Sequence, residues 1–247
     1  FETLQNTYTK NDNIMFAVEP KDGKVFTRKT LAIIEEITQA SWQIPYSIRV
    51  DSITNFQHTW SNLDDLVVQN LVENSLNFTD IQLQKVQTIA LSEPLLLNRL
   101  ITPSTNITGI NITINRPEKS ITETPEVVAF ARNMKNQFQK KYPEINIYLT
   151  GVVFMDNAFN EAGEGDMKSL VPFMYGIVLI VMALSLRTFW GTLTTILIMA
   201  FSILTGMGTA GWSGISLTPI SANAPTIILT LAVADSIHIL VTLFYEM

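Results

Sequence analysis

No cysteine occurs among the 247 residues, which excludes disulfides and thiolate metal sites. That suits a reducing compartment, or an envelope domain that holds together without covalent staples. Histidine is almost as scarce. His58 and His238 are the only two, so a histidine-rich metal centre is impossible. The chain also lacks a Gly-rich phosphate loop, a G-x-S-x-G elbow and an H-E-x-x-H pair. A net charge of −6 with no basic stripe argues against a nucleic-acid partner. Residues 1–10 are polar and have no apolar core, so no signal peptide is read there. A start at Phe1 and a stop at Met247 within an apolar stretch read as a piece of a longer protein.

Charge is also absent from one whole region. Beyond Ser169 the only Lys or Arg of the 16 is Arg187, and the only acids of the 22 are Asp235 and Glu246. This divides the chain into a soluble domain over 1–166 and a membrane region over 167–247. Helices are expected at about 170–186, 191–211 and 225–245. The first is 17 uncharged residues, about 25 Å of helix and just enough to span. The second is bracketed by Trp190 and Trp212, about 33 Å apart and placed like two interfacial anchors. It also carries Ser202, Gly206, Ala210 and Gly214 at four-residue spacing, a stripe that lets another helix come close. A turn over 214–222 with Pro219 leads to the third, which has Pro225 in its first turn, where a missing N–H costs nothing.

That third segment contains the stretch L-T-L-A-V-A-D-S-I-H-I-L. Asp235 lies ten residues from both Pro225 and Tyr245, which is about 15 Å from each end and near a bilayer midplane. A charge at that depth costs several kcal/mol, so an acid retained there faces protein or water and serves a function. Desolvation favours its protonated form, which suits a group that loads and releases protons. His238, Thr242 and Tyr245 follow at i+3, i+7 and i+10 on the same helical face. A structural acid bonded to a neighbouring helix, with His238 an ordinary core histidine, is the plainer alternative.

The soluble part reads as two β-α-β units. Asn13–Glu19 alternates as a strand, Thr27–Ser41 has helical spacing, and Tyr46–Val50 is a second strand. Gly109–Asn115 alternates again, Thr124-Pro125-Glu126 opens a helix running to about Tyr142, and Ile145–Phe154 closes the unit. Two such units suggest an α+β, ferredoxin-like split βαβ sheet. Residues 56–108 form an insertion. Leu63–Leu76 reads as mixed loop and short helix, Asp80–Leu91 as an amphipathic helix, and Leu95–Ile101 as a strand facing Gly109–Asn115. The run D-N-A-F-N-E-A-G-E-G-D (156–166) reads as a polar linker.

A split βαβ domain followed by closely spaced spans, with an acid in the middle of the third, resembles the resistance–nodulation–division (RND) superfamily. The stretch L-A-V-A-D-S-I-H-I-L is similar to the fourth-span motif of its MMPL branch, G-I-G-x-D-Y-x-x-H. The stretches D-S-I-T-N-F-Q-H-T (51–59) and S-E-P-L-L-L-N-R-L-I-T (92–102) resemble parts of predicted bacterial exporters of the group. The resemblance implies a periplasmic porter-like domain and an all-α membrane segment of three helices in the inner membrane. It implies a proton-coupled exporter of lipids or other hydrophobic and amphiphilic substrates, not an enzyme, with no cofactor and no metal. The proton relay carries over onto Asp235, with Ser236, His238 and Thr242 beside it. Ser236 stands where the family often has an aromatic residue, and the histidine comes at i+3 rather than i+4. Partners implied are the hydrophobic or lipid substrate, the bilayer, the remaining half of the polypeptide and a possible second copy of the chain, with no nucleic acid. A membrane-anchored ligand-binding sensor and an accessory subunit of protein translocation are the competing functions. A sensor needs no ionisable midplane residue, and the domain signatures of the translocation subunits are not found in this sequence.

Overall fold

Alternation in the first strand sets the sheet. In the computed structural model, which describes residues 12–62, 65–117, 119–120, 122–186, 188–215, 221 and 224–246, strand β1 (Asp12–Pro20) buries Ile14, Phe16 and Val18 completely. Each such side chain is worth about 1.5–3 kcal/mol relative to exposure. Helix α1 (Arg28–Ser41) starts where the Thr27 side chain accepts from the Thr30 N–H, and it packs Leu31, Ile34 and Ile37 onto the same layer. Strand β2 (Ser47–Asp51) follows. After the insertion, β5 (Thr108–Ile114), helix α3 (Glu123–Lys141) and β6 (Ile145–Thr150) repeat the order strand, helix, strand. Helix α3 begins two residues ahead of Pro125, with Glu123 and Glu126 in its first turn and Lys140 and Lys141 in its last, as the helix dipole favours.

The four strands form one antiparallel sheet in the order β2-β5-β1-β6. The two strands of each β-α-β unit are therefore separated by a strand of the other. Val127, Val128, Ala131 and Met134 of α3 join α1 in covering one face, where the core lies. The opposite face keeps Asn13, Met15, Ala17, Glu19, Asn111 and Thr113 only partly buried. Among the described residues it has no helical layer packed on it like the first.

Within the insertion, the expected loop and short helix over 63–76 is corrected. Its described part is strand β4 (Asp65–Asn70), paired antiparallel with β3 (Gln57–Asn62), followed by a single 3-10 turn at Ser75–Asn77. Helix α2 (Asp80–Ser92) has a capping box between Thr79 and Gln82. The expected strand at Leu95–Ile101 is also corrected. Arg99, Leu100 and Ile101 all donate to the Leu96 carbonyl and Leu97 bridges to Ile101, so the segment winds on itself, and it meets β5 through an isolated bridge between Ile101 and Thr108 and through the Leu100 carbonyl.

The linker at 156–166 is a third correction. It lies inside helix α4 (Val152–Lys168), because Val153 and Asn157 give it a packed side and Glu164 pairs with Lys168 at 3.3 Å. Strand β6 ends earlier than expected, at Thr150. Gly151 turns the chain with φ +121°, where a Cβ would lie 2.5 Å from the Asn13 carbonyl oxygen. Only glycine fits there.

Helix α5 (Leu170–Leu186) continues the ladder of α4, since Ser169 N–H donates to Gly165 and Phe173 N–H to Ser169. Helices α6 (Phe189–Trp212) and α7 (Ala224–Glu246) complete the chain. Val152–Leu184 and Phe189–Trp212 are each long and apolar enough to cross a membrane, and Ala224–Ile239 is a shorter apolar helix. Arg187 and most of the 214–222 turn, Pro219 included, lie outside the described residues, as does the Tyr245 side chain. The chain divides into two compact units at Asn157 and Ala158.

Candidate functional site

Helix α7 carries the acid, and its two sides differ in composition. One side packs. Leu229 and Ser236 are buried, and Ala232, Val233 and Ile237 sit with them against Met182 of α5 and Met199 of α6. These positions recur every three or four residues, as one helical face must.

The approach of α6 to α7 depends on Gly206. A Cβ there would come within 2.8 Å of the Ile228 Cδ1. The small-residue stripe thus has a neighbour in Ile228 at Gly206, where a side chain larger than a methyl has no room. Thr195, fully buried on α6, satisfies its hydroxyl by donating to the Gly191 carbonyl at 3.0 Å.

The other side of α7 is left uncovered by α5 and α6. It holds Thr230, Leu231, Ala234, Asp235, His238, Ile239 and Thr242, all exposed in this helical unit. The polar residues of the helix are concentrated here. Asp235 and His238 are one turn apart on this face, about 4.5 Å along the axis. Thr242 lies a further turn on and donates its hydroxyl to the His238 carbonyl at 2.8 Å. The structure therefore groups three of the four candidate relay residues, Asp235, His238 and Thr242. Ser236 points the other way, into the packed face. Adjacent residues in a helix are turned by about 100°, so a neighbour in sequence is not a neighbour on the face.

Chemically, the face offers a carboxyl group, an imidazole and hydroxyls in a single row on an apolar helix. Such a row can bind, release and pass protons. Its aliphatic surroundings, Leu231 and Ile239, exclude water from its flanks once another surface covers it.

A second set of residues, polar and apolar together, converges in the other unit. On the partly buried face of the sheet, Met15 and Asn111 meet Asp51, Asn55 and Phe56 from one loop, and Leu96, Arg99 and Leu100 from another, around a cleft of about 270 Å³. The segments are remote in sequence, and only the interleaved strand order brings them together.

A model described as the MMPL family matches residues 36–240, which include both the two loops and Asp235. No curated protein matches the chain.

Proposed function

The chain belongs to the MMPL family, an RND-type transporter family, and from that premise we propose that it works as a proton-coupled exporter of hydrophobic or amphiphilic molecules. The observation that carries the proposal is the position of Asp235. Among the described residues it stands with His238 and Thr242 on one face of an apolar helix, and neither neighbouring helix covers that face.

In this reading residues 12–157 form a porter-like domain on the periplasmic side, and the interleaved four-stranded sheet supports it. The apolar helices lie in the inner membrane. The uncovered face of α7 docks on a further helical repeat, across which protons travel. When Asp235 is protonated it is neutral, and the face packs against apolar surface at low cost. When it is ionised, the same packing leaves a buried charge, which costs several kcal/mol. The two charge states therefore favour different helix arrangements, and a proton gradient drives the change between them. His238, one turn away, receives or supplies the proton. No cofactor is required.

The test is Asp235→Asn in the full-length protein, which keeps size and hydrogen bonding while removing titration. Export of a hydrophobic substrate should be abolished with expression and membrane insertion unchanged, and Asp235→Glu should keep part of it. Full export by the Asn variant under an unchanged proton gradient would sink the relay.

A further inference from the structure

Two stretches of the sequence stand outside the relay, residues 51–59 and 92–102. The fold brings them to a single place. Asp51, Ser52, Asn55 and Phe56 of the first, and Leu95, Leu96, Arg99 and Leu100 of the second, line the cleft on the partly buried face of the sheet, with Met15 and Asn111 below them. We propose that this cleft binds the head and upper chain of a single-chain anionic amphiphile. The proposal rests on the transport reading above and locates a substrate subsite for it within residues 12–157.

Both loops are held rigidly, as a binding site requires. In the first, the Asn55 side chain donates to the Val50 carbonyl at 2.6 Å and accepts from the Ser52 N–H at 2.8 Å, while Ile53 is fully buried. In the second, Leu96 and Ile101 are anchored in the core. Its Leu100 carbonyl takes bonds from the Gly109 N–H at 2.7 Å and the Thr108 hydroxyl at 2.8 Å, which pin the loop to β5. The loop lies against the sheet at Gly109, where a Cβ would sit 3.7 Å from the Leu100 Cδ2.

The lining fixes the ligand class. Met15, Phe56, Leu96 and Leu100 make the walls mainly apolar. Of the charged groups, Arg49 and Asp51 already pair at 2.8 Å. Arg99 is different. It is exposed at the cleft, and its guanidinium has no hydrogen bond or ion pair among the described residues. The Asn111 carbonyl oxygen is taken by the Asn13 amide at 2.6 Å, which leaves its own NH₂ to donate. One unpaired cation and one free amide donor beside an apolar trough suit a carboxylate or phosphate monoester on an alkyl chain.

Size agrees. At about 30 Å³ per water-sized group, 270 Å³ takes about nine such groups, a head and a short length of chain. A second cleft of about 220 Å³ shares Met15, Arg99 and Leu100 and runs on along Ala17, Thr102 and Ile107. It gives the rest of the chain somewhere to lie.

The experiment uses the full-length protein in lipid nanodiscs, photolabelled with dodecanoate carrying a diazirine in its chain, with adducts mapped by mass spectrometry. Adducts are expected on residues 51–59 and 92–102. Arg99→Gln should cut their yield about tenfold, since it removes a charge-assisted bond and breaks no other. Met15→Trp, which fills the trough, should cut it similarly, while Lys24→Gln on the exposed surface should leave it unchanged. Dodecyl phosphate should compete for labelling, and inorganic phosphate alone or dodecanol should not. Competition by inorganic phosphate would make this a bare anion site and overturn the proposal. So would adducts confined to residues 158–246, or an unchanged yield in Arg99→Gln. Asp235→Asn, which tests proton coupling, should label like the wild type, so the two readings can fail separately.

Discussion

Gly206 shows how much one missing side chain decides. Its Cβ would press on the outermost methyl of Ile228, which is flexible, so Gly206→Ala should be tolerated. Gly206→Val forces the helices apart and should cost about 1–3 kcal/mol, as overpacking does. Ile228→Val deletes the methyl in question, and adding it to Gly206→Val should recover most of the loss in thermal unfolding in nanodiscs. If the double variant is no better than the single one, the contact is not what holds α6 to α7. His238 is open to a similar comparison. If it passes protons, His238→Gln should impair export nearly as much as His238→Ala, because the amide bonds but does not titrate. Export kept by Gln and lost by Ala would make it a packing residue. Asp235 could be singled out from the sequence because its place within an apolar run is a one-dimensional property. Ser236 is its neighbour in sequence but not on the helix surface. Whether it shares a face with Asp235 depends on helical rotation, which places it beside Leu229 and Ile237 instead.

At the scale of the element, polar clamps hold helix to helix on the covered side of the sheet. Glu36 of α1 accepts hydrogen bonds from Lys141 at 2.5 Å and from the Tyr142 hydroxyl at the end of α3. Burial pushes its carboxyl up, but those bonds and the lysine's charge outweigh burial and hold it below the ordinary value of 4.5. Glu144 is likewise lowered, mainly by its bond from Lys29. A depressed carboxylate stabilises the fold at pH values above its unfolded value, and that contribution is lost as pH falls through the folded one. Glu36→Gln should therefore weaken hydrogen-exchange protection of residues 28–41 at about pH 7, and make little difference at about pH 3. Equal effects at both would show that the charge is irrelevant. The helices and central strands could be read from periodicity because each buries its own regular stripe. The hairpin β3–β4 could not. Its strand over 65–70 is largely exposed, so no alternation marks it, and only pairing with β3 makes it a strand. The leucines of 95–101 imitate a strand, yet three of the segment's amides turn back onto the Leu96 carbonyl. The cleft was illegible for the same reason, since its loops meet only when β5 slots between β1 and β2.

For the molecule as a whole, the missing cysteines become useful. In a background otherwise free of cysteine, Lys24→Cys should react with a membrane-impermeant maleimide added outside spheroplasts, and Phe189→Cys only after the membrane is opened. The reverse pattern would place the sheet unit in the cytoplasm. The interleaving of the two units also has a consequence in time. Strand β1 is made first, yet its partners come late, with Asn13 bonded to Asn111, 98 positions away, and again to the Val152 amide beyond β6. Until those strands have emerged, Ile14, Phe16 and Val18 have no sheet to join and remain a sticky, strand-prone segment. Closing contacts that span so much chain is slow. Synthesis of this protein therefore includes an interval, lasting until Thr150 is in place, in which its future centre is its most exposed part.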